Sequence, residues 1–541
     1  MSECHGAVLP SSCVQNGNVA VESPLVENGD DASDHVTNKN KAANEKLTCW
    51  VVWSSLIALF AGGFPYGYPI GSINSVAVPA RKAFQEYYQI RHNTTLSEDG
   101  LNLIWTVTAM AHPIGGLVGC FIPNFFVKNF GQLRSMLYGH VVVVIASVFL
   151  GLTSLFKSFE VVVIARAVIG VCGSSVGTSI TPTYIVEINP TKWRGVFSSM
   201  SAFFITFGVF IANVLGLPEI LGGDELWPVM LALTGLPSLV FISLFYFMPE
   251  SPRHLYITEG RKEEARKLLT KLRKCEDISD ELDKMETELQ SQASSKQMSL
   301  LQLFRSRTLR FQLVSTIVLG FAYQLTGLSG IMSYLNQLFM KAGISSDISA
   351  YGSIITTAVM IVTACLTSLT IKRVGRKKLL FIGYLIEGIS FLLLTITIEI
   401  GDLVYWIPYL SILFSTTFTM GFIIGPAATT FLVVSEFFSQ SARTAALMTT
   451  SALVWTAYSL VVISLPYFLA ALRGFTFLIF SSIAFAVAVF VYFAVPETKD
   501  RSFVEIQQIF KKKKFCCNSR DSSNLSMEKT SLEKLNMTSS A

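Results

Sequence analysis

Uncharged apolar runs of about 20 residues recur along this chain between residues 50 and 495, and each is long enough to cross a hydrocarbon core of roughly 30 Å. In lipid every backbone N–H and C=O must find its partner within the protein, so such runs become helices. Composition agrees. Of 541 residues, 51% are hydrophobic and only 15% charged, against roughly 25% charged in soluble domains. A soluble enzyme, a secreted disulfide protein and a nucleic-acid binder are all excluded. The 9 cysteines form no disulfide framework, since Cys120, Cys172 and Cys365 lie inside apolar runs and Cys516 and Cys517 in a polar tail.

The apolar windows fall near 48–73, 102–125, 135–156, 160–182, 196–217 and 227–248, then near 311–333, 349–371, 379–399, 405–433, 444–469 and 474–495. This predicts an all-α polytopic membrane protein of twelve transmembrane helices, two six-helix pseudo-repeats with a cytosolic helical insert between them. Five segments follow: a disordered tail 1–47, a first half 48–248, a linker 249–308, a second half 309–495 and a C-terminal tail 496–541. In the linker, Ala265, Leu268, Leu269 and Leu272 keep a helical apolar stripe among mixed charges. The stripe is compatible with a plain solvated connector or with a latch beneath the two halves.

Lys and Arg concentrate in alternate loops. Lys128, Arg134, Lys192, Arg194, the linker, Lys372, Arg373, Arg376, Lys377, Lys378 and Arg443 share one side. The positive-inside rule therefore puts both termini of this multi-pass protein in the cytosol, and the plasma membrane is the expected location. The Asn93-Thr94-Thr95 sequon then lies in the first outer loop, with Asn93 as glycan acceptor. Beyond the last window, the basic run 511–514 is suited to anionic lipid, and Cys516 and Cys517 are palmitoylation candidates.

The two halves carry matching marks. Glu187 and Arg194 stand seven apart after the fourth window, and Glu436 and Arg443 seven apart after the tenth. Pro249-Glu250-Ser251 closes the sixth window and Pro496-Glu497-Thr498 the twelfth. Such a duplication is the mark of parallel-repeat transporters, with a substrate cavity between the halves near the midplane. Glu and Arg at the membrane edge are only partly desolvated and can pair across helix ends, bridging the halves as a gate.

These residues resemble the sugar porters of the major facilitator superfamily, especially the animal facilitative glucose and fructose transporters. The resemblance runs from about residue 50 to 510. It rests on Gly67-Tyr68, Arg166, Glu187-Ile-Asn-Pro-Thr-Lys-Trp-Arg194-Gly195, Pro249-Glu-Ser-Pro-Arg253, Gln324-Leu-Thr-Gly327, Arg373-Val-Gly375-Arg376-Lys377, Gly425-Pro426 and Pro496-Glu-Thr-Lys-Asp-Arg501. It implies a twelve-helix fold, four cytosolic helices in the linker and alternating access. It also implies a substrate site at Tyr66, Tyr323, Gln324, Ser329, Ser333, Tyr334, Phe431 and Trp455, with an outer gate near Ser333 and Tyr334. The implied inner charged gate comprises Glu187, Arg194, Glu250, Arg253, Arg373, Arg376, Glu436, Arg443 and Glu497.

The departures from that family pattern fall where substrate should sit. Ala202 replaces a fifth-window Gln, Tyr323 the first Gln of the seventh-window motif, Ser329 its Asn, and Met360 an eighth-window Asn. Ile423, Phe431 and Val454 replace further polar or indole side chains, and Gly131-Gln132-Leu133 replaces Gly-Arg-Arg after the second window. Pro69 stands where proton-coupled relatives carry Asp.

The expected function is facilitative transport of a hexose of the fructose or glucose class, without proton coupling. A carrier of another small solute such as urate and a transport-inactive sensor or scaffold are the alternatives. No Walker motif or metal-ligand cluster is present, so no cofactor, metal or enzymatic activity is expected. The expected partners are the solute and the lipid bilayer, and the sequence fixes no oligomeric state. His112, His140 and Glu387 are intramembrane ionisable residues to be accounted for.

Overall fold

The computed structural model describes residues 47–275, 278–294, 298–371, 374–401, 404–499, 501 and 505–510. The first 46 residues, Arg373, the basic run 511–514, Cys516 and Cys517 lie outside the described residues.

The first half holds six spans: Cys49–Ser75, Glu98–Gly119, Gln132–Gly151, Phe159–Ile188, Lys192–Leu215 and Trp227–Phe247. The second half opens with Arg310–Lys341, Ile348–Thr370, Arg376–Glu399 and Ile407–Phe437. The remaining apolar stretch, Ser441–Ala494, has 54 residues, about 80 Å of helix and far more than one crossing requires. A tight turn at Arg473–Phe475 divides it into an eleventh span, Gln440–Leu472, and a twelfth, Thr476–Ala494. The protein is thus an all-α, multi-pass membrane protein, and the described residues contain no strand.

The helices outrun the apolar windows where polar residues continue the turn. The seventh and tenth spans end at Lys341 and Phe437. An amphipathic helix, Ala77–His92, follows the first span, and its apolar face (Ala80, Phe84, Tyr87) is buried. Its mean hydropathy is low, so a search for membrane windows passes over it. Asn93 ends this helix in the left-handed conformation that Asn tolerates, exposed to solvent.

Within the halves the tightest packing sets the first span on the fifth, the second on the fourth, the ninth on the twelfth and the tenth, and the seventh on the eleventh. Small residues allow it. A Cβ on Gly67 would lie 1.9 Å from the Ile205 carbonyl oxygen, so the first and fifth spans touch backbone to backbone there. The halves meet along three seams: second against eleventh, fifth against eighth, first against seventh.

The repeat extends to the irregularities. The fourth span widens into a π turn at Ser175–Ile180 and the tenth at Ile423–Ala427, the kind of local widening that is frequent at functional sites. The seventh span breaks after Leu325 and resumes at Leu328, with Gly327 at φ +97°, a conformation that favours glycine.

The linker contains a wide turn at His254–Thr258 and helices Lys262–Arg273, Ser279–Ser294 and Leu300–Arg305. Ala265, Leu269 and Leu272 are buried. Arg273 donates to the Ile188 carbonyl at 2.7 Å and to Glu281 at 2.9 Å, while Thr48 Oγ1 donates to the Leu272 carbonyl at 3.1 Å. The linker's first helix is therefore fastened to the first half. Its far end reaches the second, through Met298 N donating to Ser441 O at 3.0 Å.

Candidate functional site

A cavity of about 830 Å³ lies between the halves. It reaches from Tyr66, Gln324 and Trp455 at mid-depth to Asn124, Val127 and Gln132 at the end of the bundle that carries the linker. At its mouth Asn124 Nδ2 contacts Met448 Sδ across the halves at 3.1 Å. At the opposite end the halves are joined, with Asn336 N donating to Asn74 Oδ1 at 3.0 Å.

Of the eight substrate residues expected, Tyr66, Tyr323, Gln324, Ser329, Phe431 and Trp455 line this one cavity. Each departure from the family pattern at Ala202, Met360, Ile423 and Val454 lines it too. Tyr334 does not. It sits at a kink in the seventh span (φ −129°, ψ 18°) and lines a second cavity, beside Arg81, Asn102 and Lys341. Ser333 lines neither cavity and faces Tyr458.

The break in the seventh span positions the polar centre of the site. Ser329 Oγ donates to Gln324 Oε1 across it. This occupies the amide oxygen, and among the described residues Gln324 Nε2 has no hydrogen-bond partner. Around it stands an aromatic frame. Tyr66 meets Trp455 edge-on at 5.3 Å, Tyr458 stacks behind Trp455 at 5.7 Å, and Tyr323 meets Phe422 at 5.0 Å and Phe431 at 5.9 Å. His112 packs edge-on to Trp455 at 5.9 Å, and a Cβ on Gly116 would strike the indole at 2.4 Å, so the second span fixes that ring. His140 lies away from the cavity, its Nδ1 3.0 Å from Ser238 Oγ.

Sequence reasoning missed the wall opposite Gln324. Thr178, Ser179, Thr183, Ser198 and Thr206 of the fourth and fifth spans line the cavity. Thr178, Thr183 and Thr206 donate to carbonyls one turn back at 2.6, 2.9 and 3.1 Å. A hydroxyl whose proton is spent in this way still accepts, so this wall presents acceptors to a solute rich in O–H groups. Among the described residues no Asp, Glu, Lys, Arg or His lines the cavity.

The inner charged residues form one network in each half. Glu187 accepts from Gln132 Nε2 at 2.7 Å and from Ser251 Oγ. Glu250 Oε1 accepts from the backbone N–H of Leu133 at 3.1 Å and of Ser251 at 3.0 Å. Burial pushes the Glu250 carboxyl above its ordinary range, against the pull of those two amides. Arg253 pairs with Glu288 of the linker, and Arg194 Nε donates to the Asn189 carbonyl at 3.0 Å. In the second half Arg376 pairs with Glu436 at 3.5 Å, and Glu497 Oε1 accepts from Arg376 N at 2.9 Å and Thr498 N at 3.0 Å. Arg443 is exposed at the start of the eleventh span. These contacts run within a half or to the linker.

Residues 54–510 match the family model described as "Sugar (and other) transporter". The chain is 32% identical to sheep "Solute carrier family 2, facilitated glucose transporter member 5" over 465 residues, 86% of this chain and 93% of that protein. It is 34% identical to human member 7 of the same carrier family over 468 residues, 86% of this chain and 91% of that one. Its fold is similar to the xylose transporter XylE from E. coli in a partially occluded inward open conformation, with a TM-score of 0.70 and 22% identity over 84% of this chain and all of that one. With the repeat, the twelve helices and the cavity between the halves, these matches establish that the chain belongs to the sugar transporter family of the major facilitator superfamily.

Proposed function

We propose that this protein carries a hexose of the fructose or glucose class down its gradient by alternating access, in the plasma membrane, with both termini and the linker in the cytosol. The observation that carries the reading is the uncharged cavity. A buried ion demands a partner, and a cavity whose lining holds no charged residue suits a neutral solute better than an anion such as urate. A hexose brings hydroxyls to donate to the Ser/Thr wall and an acceptor for Gln324 Nε2, and its ring face matches the aromatic frame. The printed names of the relatives point to the same class. Under this orientation the cavity faces inward, the inner network is the gate, and Asn93 is exposed outside as a glycan acceptor.

Uncoupled transport is part of the proposal. Arg166 is buried in the fourth span, and its guanidinium donates to the carbonyls of Thr108 at 3.0 Å and Pro69 at 3.3 Å. With Pro69 in the first span, the place of a coupling carboxylate is held by backbone. The likeness to XylE, described elsewhere among the solved structures as a proton:xylose symporter, carries the fold alone.

Uptake of labelled fructose, glucose and urate into proteoliposomes, with and without a proton gradient, tests the reading. Hexose uptake that ignores the gradient is expected; uptake of urate alone, or of nothing, overturns it. Gln324→Ala should weaken hexose affinity roughly threefold to a hundredfold, from a lost hydrogen bond and a partner left unpaired. An unaltered half-saturation concentration, corrected for protein incorporated, removes Gln324 from the site.

A further inference from the structure

Among the described residues, Glu387 is the one buried carboxyl of the second half that neither the cavity nor the gate uses. It stands twelfth of 24 residues in the ninth span, midway across, and is fully buried. Among the described residues neither carboxyl oxygen has a hydrogen-bond partner of ordinary geometry, and no ion pair includes it. A carboxylate sealed in an apolar interior without a cation is very costly, and such a group stays neutral instead.

The neighbours give it a task. From the seventh span the Thr326 hydroxyl points at it, with no other partner of its own. On its own helix Tyr384 lies one turn back, fully buried, with Thr430 of the tenth span facing the Tyr384 hydroxyl. From the twelfth span Ser481 Oγ donates to the neighbouring Gly388 carbonyl at 2.7 Å. Thr326 and Gly327 form the break in the seventh span, and Phe391, one turn beyond Glu387, packs on Gly327 with Phe480. On the cavity side Ser329 and Gln324 close that break with their hydrogen bond. On the far side the Glu387 carboxyl faces the Thr326 hydroxyl.

We propose that Glu387, as a neutral acid facing the Thr326 hydroxyl, is a positioning residue that holds the broken seventh span so that Tyr323, Gln324 and Ser329 face the solute. The proposal rests on the reading of that cavity as the substrate site. It extends the reading by making the affinity of an uncharged site depend on a carboxyl that does not touch it.

The test compares Glu387→Gln, which keeps a neutral donor and acceptor, with Glu387→Met, which keeps the bulk and removes both. The Met variant should raise the half-saturation concentration for the transported hexose roughly three- to thirtyfold with little change in maximal rate per incorporated protein, and the Gln variant should restore it. An unchanged value in the Met variant overturns the proposal. So does a Gln variant as impaired as Met, which would make the exchangeable proton itself the function. A second readout needs no substrate: a cysteine at Leu328, beside the break and on the cavity wall, is labelled by a maleimide over the background of native cysteines. Its labelling rate should change severalfold in Glu387→Met and not in Glu387→Gln. If no hexose is carried by any form, the function reading fails while the labelling still decides the role of Glu387; equal rates in all three forms refute the positioning role.

Discussion

In the first half Glu250 accepts from the backbone of Leu133 and Ser251, and in the second Glu497 accepts from the backbone of Arg376 and Thr498. Each carboxyl caps the helix that begins the third or ninth span, where unpaired N–H groups and the helix dipole favour an anion. The neighbouring glutamates differ. Glu436 meets a guanidinium, Arg376, whereas Glu187 meets an amide, Gln132, and a hydroxyl, Ser251. The duplicated part of the network is therefore the part that satisfies backbone, and the part that has diverged is the charge pairing. A cap is required by the helix end whatever the cycle does. A charge pair at a partly exposed edge contributes little to stability and is free to change.

The largest expected effects break the shared element. Glu250→Ala and Glu497→Ala each leave backbone N–H groups without their acceptor, at about 1–3 kcal/mol for a group that stays buried. Thermal unfolding in detergent should show similar losses for the two variants. A loss confined to one half would mean that the caps are not equivalent.

Next come the arginines that follow each glutamate by seven residues. In this structure Arg194 Nε donates to the Asn189 carbonyl of its own half, and Arg443 is exposed. If both bridge the halves only when the inner side closes, Arg194→Ala and Arg443→Ala weaken the closed state more than the open one. About 1 kcal/mol of lost closure is a shift of roughly fivefold in the two populations. A cysteine at Leu447 on the cavity wall should be labelled faster from the inner side in both variants. Equal rates would leave these arginines as signals of orientation.

The sequence reads clearly where one physical demand acts on many consecutive residues. Lipid imposes that demand on twelve windows, so the spans and their duplication are visible, and the windows miss only what polar residues add: the helix Ala77–His92 and the far ends of the seventh and tenth spans. The amide and aromatic side chains of the cavity are legible because each is conspicuous in an apolar run. The Ser/Thr wall is not, since Thr178, Thr183 and Thr206 spend their protons on their own helices, as Thr does anywhere in a membrane helix. Tyr334 is a different failure. It lies five residues beyond Ser329, but the kink at Tyr334 itself turns that part of the helix to the second cavity, and no spacing rule anticipates an irregular turn.

The smallest effects exchange the element on which the halves differ. Arg376→Gln gives the second half the first half's chemistry, and Gln132→Arg does the reverse. Arg376 and Glu436 side chains are 20% and 24% exposed, so each exchange should move stability by only about 0.2–1 kcal/mol. The signs should be opposite. Arg376→Gln removes an ion pair and keeps a donor for Glu436, which destabilises slightly. Gln132→Arg gives Glu187 a cation where it now has an amide, and the Ser251 hydroxyl remains to complete it, which stabilises slightly. The two sites lie in separate halves, so the double exchange should be additive within about 0.3–0.5 kcal/mol. A larger coupling, read from the melting temperatures of the four forms, would show that the two networks communicate through the closed inner face and that the missing arginine of the first half is part of how this carrier sets its gate.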